Sequence, residues 1–270
     1  MIYLSYLLAL LIGLSIGIMG SGGAILAVPI LYYIAGYTMQ EASVYSLFVV
    51  GASSLVGAVR SWMNRLINWH AVLFFGIPSV LAVYITRLLL VPVLPDPLIT
   101  SSLIIVPLDM ALLLLFAILM VLAARSMLLS KDVSIQGEFS FQSSKSSLQV
   151  IAFGLLVGTL TAILGAGGGF LIIPALVLFL GMPMKHAIGT SMFIVAMNAL
   201  NGFAGSLYKG NITIDYSFLL LFTAMAFTGL FLGMYWAKHL KPEKLKRSFA
   251  YFVLLMGLFI ILQQMVKHFK

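Results

Sequence analysis

The sequence predicts an all-α polytopic membrane protein with about 8–10 membrane helices arranged in two inverted repeats. The first observation is composition, because 62% of the 270 residues are apolar and only 8% are charged. Soluble domains carry about 25% charged residues, since their surface must be solvated. The second observation is a series of uncharged apolar runs, and the third is an internal repeat. Together they exclude a soluble enzyme, a cytoplasmic binding module and a disordered chain.

The apolar runs divide the chain into ten segments, since a bilayer span takes roughly 20 apolar residues. They lie at about 2–20, 22–36, 42–59, 69–90, 98–124, 148–166, 168–181, 187–207, 215–237 and 248–266. Segments 22–36 and 168–181 are short and each follows a glycine cluster, so they are interpreted as Gly-broken short helices, either steep spans or halves of re-entrant hairpins. The polar stretch 125–147 is predicted to be a cytoplasmic loop connecting a first membrane repeat, 1–124, to a second, 148–270.

The two halves align without a gap when the sequence is shifted by 145 residues. Identities that follow include Gly20 with Gly165, Gly22 with Gly167, Gly23 with Gly168, Pro29 with Pro174, Gly36 with Gly181, Ser46 with Ser191 and Gly57 with Gly202. Each half holds five apolar segments, an odd number. Homologous halves with an odd number of crossings insert in opposite orientations, which is the inverted-repeat design of many secondary transporters.

Basic residues predict the sidedness of the chain. Of the 15 Lys and Arg residues, 11 fall in the loops after segments 3, 5, 7 and 9. The other four are Arg87, Lys209, Lys267 and Lys270. Because cytoplasmic loops are rich in Lys and Arg, the first set is expected to be cytoplasmic and both termini outside, in a bacterial cytoplasmic membrane. The net charge of +8 is therefore interpreted as a topology signal, and no nucleic-acid partner is expected.

Metal and cofactor chemistry is not expected. The chain has no cysteine, which excludes disulfides and thiolate metal ligands, and its four histidines show no metal-ligand spacing. We expect no cofactor, no metal and no catalytic residue. An intramembrane serine enzyme is disfavoured because the chain has no Gly-x-Ser-x-Gly motif. An ATP-driven pump is disfavoured because it has no phosphate-binding Gly-x-x-x-x-Gly-Lys-[Ser/Thr] loop.

The two glycine clusters are the first candidate site. Each precedes an apolar segment whose helix start carries free N–H groups and a positive dipole end, which attract anions. Two such starts related by an inverted repeat would converge near the midplane. The alternative is close helix packing, the interpretation given to the Gly-x-x-x-Gly pairs at 13–17 and 154–158. The candidate binding residues are Gly20, Ser21, Gly22, Gly23, Gly165, Gly167, Gly168 and Gly169.

Polar residues in the third segment of each half are the second candidate site. They are Ser46, Ser53, Thr190, Ser191, Asn198 and Asn201. Neutral hydroxyl and amide donors suit an oxyanion that must be released again, whereas charged groups are costly in the bilayer. The alternative is that these side chains bond their own helix carbonyls or hold helices together.

Charged residues supply two further hypotheses. Asp109 is the only acid well inside an apolar segment and is a candidate for proton coupling; the alternative is a partner in a polar vestibule. Arg60 and Arg65 flank Trp62 at the end of segment 3. They are interpreted as interfacial anchors or, alternatively, as an electrostatic funnel for anions.

The paired motif Gly-x-Gly-Gly, followed in each half by Leu and Pro, resembles the sulfite exporter TauE/SafE family. The stretches 181–191, containing Gly-Met-Pro-Met-Lys-His-Ala, and 210–215, Gly-Asn-Ile-Thr-Ile-Asp, also resemble that family. The resemblance implies a permease that exports small oxyanions such as sulfite, sulfonates or sulfoacetate.

The leading hypothesis is therefore a secondary transporter that moves a small oxyanion by alternating access and is driven by an ion or proton gradient. A permease for another small carboxylate or inorganic anion, and a non-enzymatic membrane scaffold, remain alternatives. The expected partners are a small anionic substrate and the lipid bilayer, and a homo-oligomer is left open.

Overall fold

The computed structural model describes residues 2–93, 99–100, 105–129, 147–164, 169–207, 214–237, 240 and 242–268. Eight helical segments within these ranges are long and apolar enough to cross a membrane. They are Leu4–Tyr33, Met39–Met63, Trp69–Leu90, Met110–Leu129, Ser147–Leu164, Met184–Leu207, Tyr216–Ala237 and Glu243–Gln264. The predicted all-α membrane fold with about 8–10 membrane helices is confirmed.

Six α-helices lie within the described residues of the first half. They are α1 (Ile2–Met19), α2 (Ala27–Tyr33), α3 (Met39–Met63), α4 (Trp69–Ala71), α5 (Ile77–Ile85) and α6 (Leu108–Leu129). A 3-10 helix, Gly20–Leu26, joins α1 to α2, and π-helical turns at Val72–Gly76 and Thr86–Leu90 extend α5 in both directions into one continuous run. Two-residue antiparallel strands, β1 (Ile99–Thr100) and β2 (Ile105–Val106), precede α6.

In the second half, the part that the structure describes forms five α-helices. They are α7 (Ser147–Leu164), α8 (Gly169–Leu180), α9 (Met184–Leu207), α10 (Tyr216–Ala237) and α11 (Pro242–His268). The predicted connecting loop 125–147 overlaps both flanking helices, since α6 continues to Leu129 and α7 begins at Ser147. The remainder of that loop lies outside the described residues.

One predicted span differs from the structure. The apolar segment 98–124 is not helical from its start, because α6 begins only at Leu108, directly after Pro107. Proline disfavours helix in the residue before it and fits the start of a helix, which places the boundary here. Asp109 therefore lies in the first turn of α6 rather than deep within a span.

The chain reverses direction at the first glycine cluster. Gly20 has a φ of +71°, in the left-handed region that glycine favours. A Cβ placed on Gly23 would lie 2.2 Å from the carbonyl carbon of Ser15 and 2.3 Å from the nitrogen of Ile16. Eight residues along a straight α-helix span about 12 Å, so this approach requires the 3-10 segment to fold back along α1. The short segment after Gly20 is thus the second arm of a hairpin.

Each half contributes a helix that packs closely on the other half. Gly13 and Gly17 of α1 meet Ala226 and Leu230 of α10, and a Cβ on Gly13 would lie 1.8 Å from the Ala226 carbonyl oxygen. Gly158 of α7 packs in the same manner on the helical run 69–90, where its Cβ would lie 2.4 Å from the Ser79 carbonyl oxygen. Small residues allow such close contact in membranes, as the Gly-x-x-x-Gly packing interpretation predicts.

Helices α3 and α9 form the central antiparallel pair. Gly202 of α9 meets Leu47 near the start of α3, and Met192 of α9 meets Gly57 near the end of α3. The two contacts are exchanged by the 145-residue shift, since Leu47 corresponds to Met192 and Gly57 to Gly202. Such exchange is what a two-fold axis between inverted halves would produce.

Candidate functional site

The first glycine cluster lies against the second half of the chain. A Cβ placed on Gly169, the first residue of α8, would lie 1.9 Å from the Ser21 carbonyl oxygen. A Cβ on Gly22 would lie 2.2 Å from the Phe249 ring, and one on Gly20 would lie 2.6 Å from the Ile188 side chain. Glycine is needed wherever backbone or rings approach so closely. Of the second cluster, Gly165, Gly167 and Gly168 lie outside the described residues.

Two serine hydroxyls connect this cluster to α9. Ser21 Oγ donates to Ser191 Oγ at 2.7 Å, and Ser191 Oγ donates to the Ile188 carbonyl oxygen at 2.9 Å. Both serines are fully buried. Because both hydroxyl protons are used within the protein, this pair fixes the glycine turn to α9 in the conformation seen here.

The centre of the α3–α9 pair holds buried polar atoms that have no hydrogen-bond partner. They are Ser53 Oγ and Ser54 Oγ on α3 and Asn198 Oδ1 on α9. Their helix positions lie between the Leu47–Gly202 and Gly57–Met192 contacts, and Ser53 and Asn198 correspond to each other in the 145-residue shift. Buried polar groups are nearly always paired, so three unpaired atoms within this stretch of the two helices require an explanation.

Asn198 also contacts a third helical run. Its Nδ2 donates to Ser79 Oγ at 2.8 Å, which links α9 to α5. Rotating the amide by 180° exchanges its oxygen and nitrogen, and the Ser79 hydroxyl can then donate instead of accepting. The free end of Asn198 can therefore present either an acceptor or an N–H donor to a molecule at the α3–α9 centre. Ser79 was not among the predicted site residues, because nothing in the surrounding sequence distinguishes it from other serines.

Three of the predicted polar side chains form hydrogen bonds with backbone groups. Ser46 Oγ donates to the Ser43 carbonyl oxygen at 2.9 Å, and Asn201 Nδ2 donates to the Met197 carbonyl oxygen at 2.8 Å. Thr190 Oγ1 accepts from the backbone N–H of Asn68 at 2.9 Å, just before α4. In this conformation these side chains satisfy backbone groups, as the alternative interpretation of such residues anticipates.

A basic cavity opens at the far end of α3. It has a volume of about 330 Å³ and reaches from the cationic residues Arg60 and Lys185 to the side chain of Ile188. Ser61 and Asn64 also line it, together with apolar residues of α1, α9, α10 and α11, and no acidic residue of the described chain does so. This cavity is called the basic vestibule below, and one of its lining residues, Ile188, packs on Gly20.

The structure buries Arg87, a charged residue of the predicted segment 69–90 that the sequence assigned to the side opposite the eleven cytoplasmic cations. Arg87 lies in the π-helical turn at the end of the 69–90 run, and 6% of its surface is exposed. One guanidinium nitrogen, Nη2, donates to Ser43 Oγ on α3, and its Nε has no partner. The signal that could have found Arg87 is its place inside an apolar run, since intramembrane charges are functional by default.

The motif 210–215 ends at a helix cap. Asp215 Oδ1 accepts from the backbone N–H of Phe218 at 3.0 Å at the start of α10, and its own N–H donates to the Tyr45 hydroxyl at 2.8 Å. The rings of Tyr37 and Tyr45 are 4.7 Å apart at their centres. Burial, followed by the neighbouring Tyr45, raises the pKa of the Tyr37 hydroxyl, which stays protonated. These contacts anchor the start of α10 to α3.

Comparison with known proteins decides the family. The profile of the family described as "Sulfite exporter TauE/SafE" matches residues 5–260. The chain belongs to the TauE/SafE family. Among its relatives, a probable membrane transporter protein of Xylella fastidiosa strain Temecula1 is 26% identical over 264 residues, covering 93% of this chain and 91% of the relative. A probable membrane transporter protein of Methanocaldococcus jannaschii is 27% identical, covering 94% of this chain and 95% of the relative.

A third relative, a probable membrane transporter protein of Haemophilus influenzae, is 26% identical and covers 97% of this chain and 98% of its own length. No solved structure matches the chain. This TauE/SafE protein is therefore a multi-pass membrane transporter, a class that generally catalyses no covalent reaction. Within the described residues there is no group of three or more His, Asp or Glu that could hold a metal ion.

Proposed function

We propose that this TauE/SafE transporter moves a small oxyanion, such as sulfite or a sulfonate, by alternating access. One observation carries the proposal: Ser53 Oγ, Ser54 Oγ and Asn198 Oδ1 are buried without partners at the α3–α9 centre. An unpaired buried polar group costs about 1–3 kcal/mol, so three of them together favour a site that a polar guest completes. Two hydroxyl groups, and the Asn198 amide once it is rotated so that its N–H replaces Oδ1, offer neutral donors that hold an oxyanion and still release it.

The basic vestibule supports a route to this site. Arg60 and Lys185 line it, and two cations there raise the local concentration of anions, which accelerates their entry. Met192, one helical turn and a half from Asn198 on α9, lines the same cavity. At the other end of α3, Arg87 and Ser43 are buried in contact with each other. We interpret the cavity at one end and the buried Arg87–Ser43 pair at the other as one state of an alternating-access cycle.

The two-fold relation of the halves supports the same cycle. The Leu47–Gly202 and Gly57–Met192 contacts exchange under the 145-residue shift, as a two-fold relation between the halves would require. An inverted-repeat transporter opens its other end by adopting the arrangement of the opposite repeat. The inverted repeat remains a prediction that these contacts support.

The direction of transport and its sidedness are part of the proposal. The excess of Lys and Arg near the vestibule end of α3 favours a cytoplasmic vestibule. A basic entry facing the cytoplasm suits export of an anion, which the negative membrane potential also favours. The termini would then both lie outside.

A panel of anions tests the proposal on the purified protein. Sulfite, thiosulfate, sulfate, sulfoacetate, taurine, oxalate and chloride are each added, and unfolding is followed by tryptophan fluorescence. This readout suits the chain because it has 3 tryptophans. Thiol-reactive dyes could not report its unfolding, because it has no cysteine. A ligand at a hundred times its Kd stabilises the folded protein by about 2.7 kcal/mol. We expect a sulfur oxyanion to raise the unfolding temperature selectively. A shift with oxalate alone would favour a carboxylate permease, and none with any anion would contradict an anion site.

Asp109 carries the coupling part of the proposal. In Asp109→Asn, the flux of the identified anion into vesicles should lose its dependence on an imposed pH gradient, because the amide cannot carry a proton. Flux at equal pH on both sides is the control and should persist. A variant that keeps the wild-type dependence on the pH gradient excludes Asp109 as the coupling group.

A further inference from the structure

Arg87 is a buried cation without a counter-charge in the described chain. Its Nη2 binds the neutral Ser43 hydroxyl, its Nε has no partner, and no carboxylate of the described residues forms an ion pair with it. Burying a charge without a partner is costly in a protein and more so within a membrane span. A purely structural arginine would be expected to lie beside an acid or several carbonyl oxygens. The unfilled hydrogen-bonding capacity of Arg87 instead points to an anionic ligand.

The location of Arg87 is related to the basic vestibule by the internal repeat. Ser43, its partner, and Arg60, at the vestibule, are separated by 17 residues of α3, or about 26 Å of helix. The 145-residue shift relates Ser43 to Ile188 and Gly205 to Arg60, and both Ile188 and Arg60 line the vestibule.

The Arg87 side chain fills the space at this opposite end. A Cβ on Gly205 would have the Arg87 Cβ as its nearest neighbour, at 3.6 Å. At one end of the helix pair the cation is therefore Arg60 on α3, whereas at the other the equivalent residue is glycine and Arg87 supplies the charge from a different helix. Each end of the helix pair therefore has an arginine, although Arg60 and Arg87 are not equivalent positions of the internal repeat.

We propose that Arg87 is the anion-binding residue of a second, closed vestibule at the end opposite Arg60. This inference rests on the proposed function and extends it. When the transporter opens at this end, the guanidinium leaves Ser43 and binds the oxyanion, whose adjacent oxygens match the two N–H groups of the fork. The resting bond to a neutral hydroxyl is weak enough to exchange, whereas a carboxylate partner would compete with the ligand.

Vesicles of opposite orientation test the inference. Initial rates of radiolabelled sulfite entry are measured as a function of concentration in right-side-out and inside-out membrane vesicles containing the wild-type protein, Arg87→Gln, Ser43→Ala or Arg60→Gln. We expect Arg87→Gln to raise the KM for sulfite on the outer face on the order of tenfold or more, with little change on the inner face. Arg60→Gln is the matched arginine at the other end and should raise the KM on the inner face.

Ser43→Ala and Arg87→Lys separate binding from packing. If Arg87 only holds helices together through Ser43, Ser43→Ala will raise the outer KM as much as Arg87→Gln does. The inference requires a much smaller effect of Ser43→Ala, and partial recovery of outer affinity in Arg87→Lys, which keeps the charge without the fork.

An unchanged outer KM in normally inserted Arg87→Gln overturns the second vestibule alone. Absence of saturable sulfite entry for the wild-type protein in both orientations contradicts sulfite transport itself, and the inference with it.

Discussion

Gly169→Ala should lower the free energy of unfolding by about 3 kcal/mol or more, or prevent accumulation of folded protein. The added methyl group would lie 1.9 Å from the Ser21 carbonyl oxygen, and the nearest atoms are backbone, which cannot rotate away. The two halves would have to separate at the glycine turn. Unfolding in detergent, followed by tryptophan fluorescence, measures the loss.

Gly205→Ala is the matched control for Gly169→Ala. The added methyl group there would have its nearest neighbour at 3.6 Å, an ordinary contact, and alanine also favours a helix. We expect Gly205→Ala to unfold near the wild-type temperature. Equal stability of the two variants would mean that Gly169 and Ser21 are not packed as the structure has them.

The double variant Ser53→Ala, Ser54→Ala should lose anion-dependent stabilisation while retaining the stability of the anion-free protein. Both hydroxyls are buried without partners, so their removal relieves a desolvation cost and leaves no other group unpaired. A hydrogen bond to a charged group contributes about 1.5–3 kcal/mol, so losing two should weaken binding by at least about a hundredfold. Titration of the anion that stabilises the wild-type protein measures this change.

Ser46→Ala is the control on the same helix. Ser46 is also fully buried, but its hydroxyl donates to the Ser43 carbonyl oxygen. We expect that variant to bind the anion with near wild-type affinity. If it weakens binding as strongly as the double variant does, loss of hydroxyl groups from α3 acts through helix packing, and the α3–α9 centre is not the site.

Composition and length were sufficient to predict the membrane fold. Apolar runs of span length leave a backbone few options in a bilayer, where helices satisfy their own hydrogen bonds. The glycine clusters were also apparent in the sequence, because consecutive glycines in an apolar run are rarely needed for helix packing alone. The structure gives Gly20 its left-handed φ and brings Ser21 against Gly169.

The candidate polar residues were predicted as a set, but only some of them have a side-chain atom without a hydrogen-bond partner. Helical spacing placed Ser53, Ser191 and Asn198 in the third segments, but it could not show that Ser46 and Asn201 bond backbone of their own helices. That difference depends on rotamers and on which groups lie opposite. Serine and asparagine form local and long-range hydrogen bonds of similar strength, so sequence spacing does not distinguish them.

The sequence by itself determined that the chain is built of apolar helices, and it contained the 145-residue repeat and the glycine clusters, because each depends on residue type along the chain. Only the tertiary structure decided that α6 begins after Pro107, that Ser53, Ser54 and Asn198 lack partners, and that Arg87 is buried beside Ser43. The physical reason is that nearly every face of these helices is apolar. Apolar periodicity then no longer shows which face is turned inward, and the partners of polar groups come from distant helices.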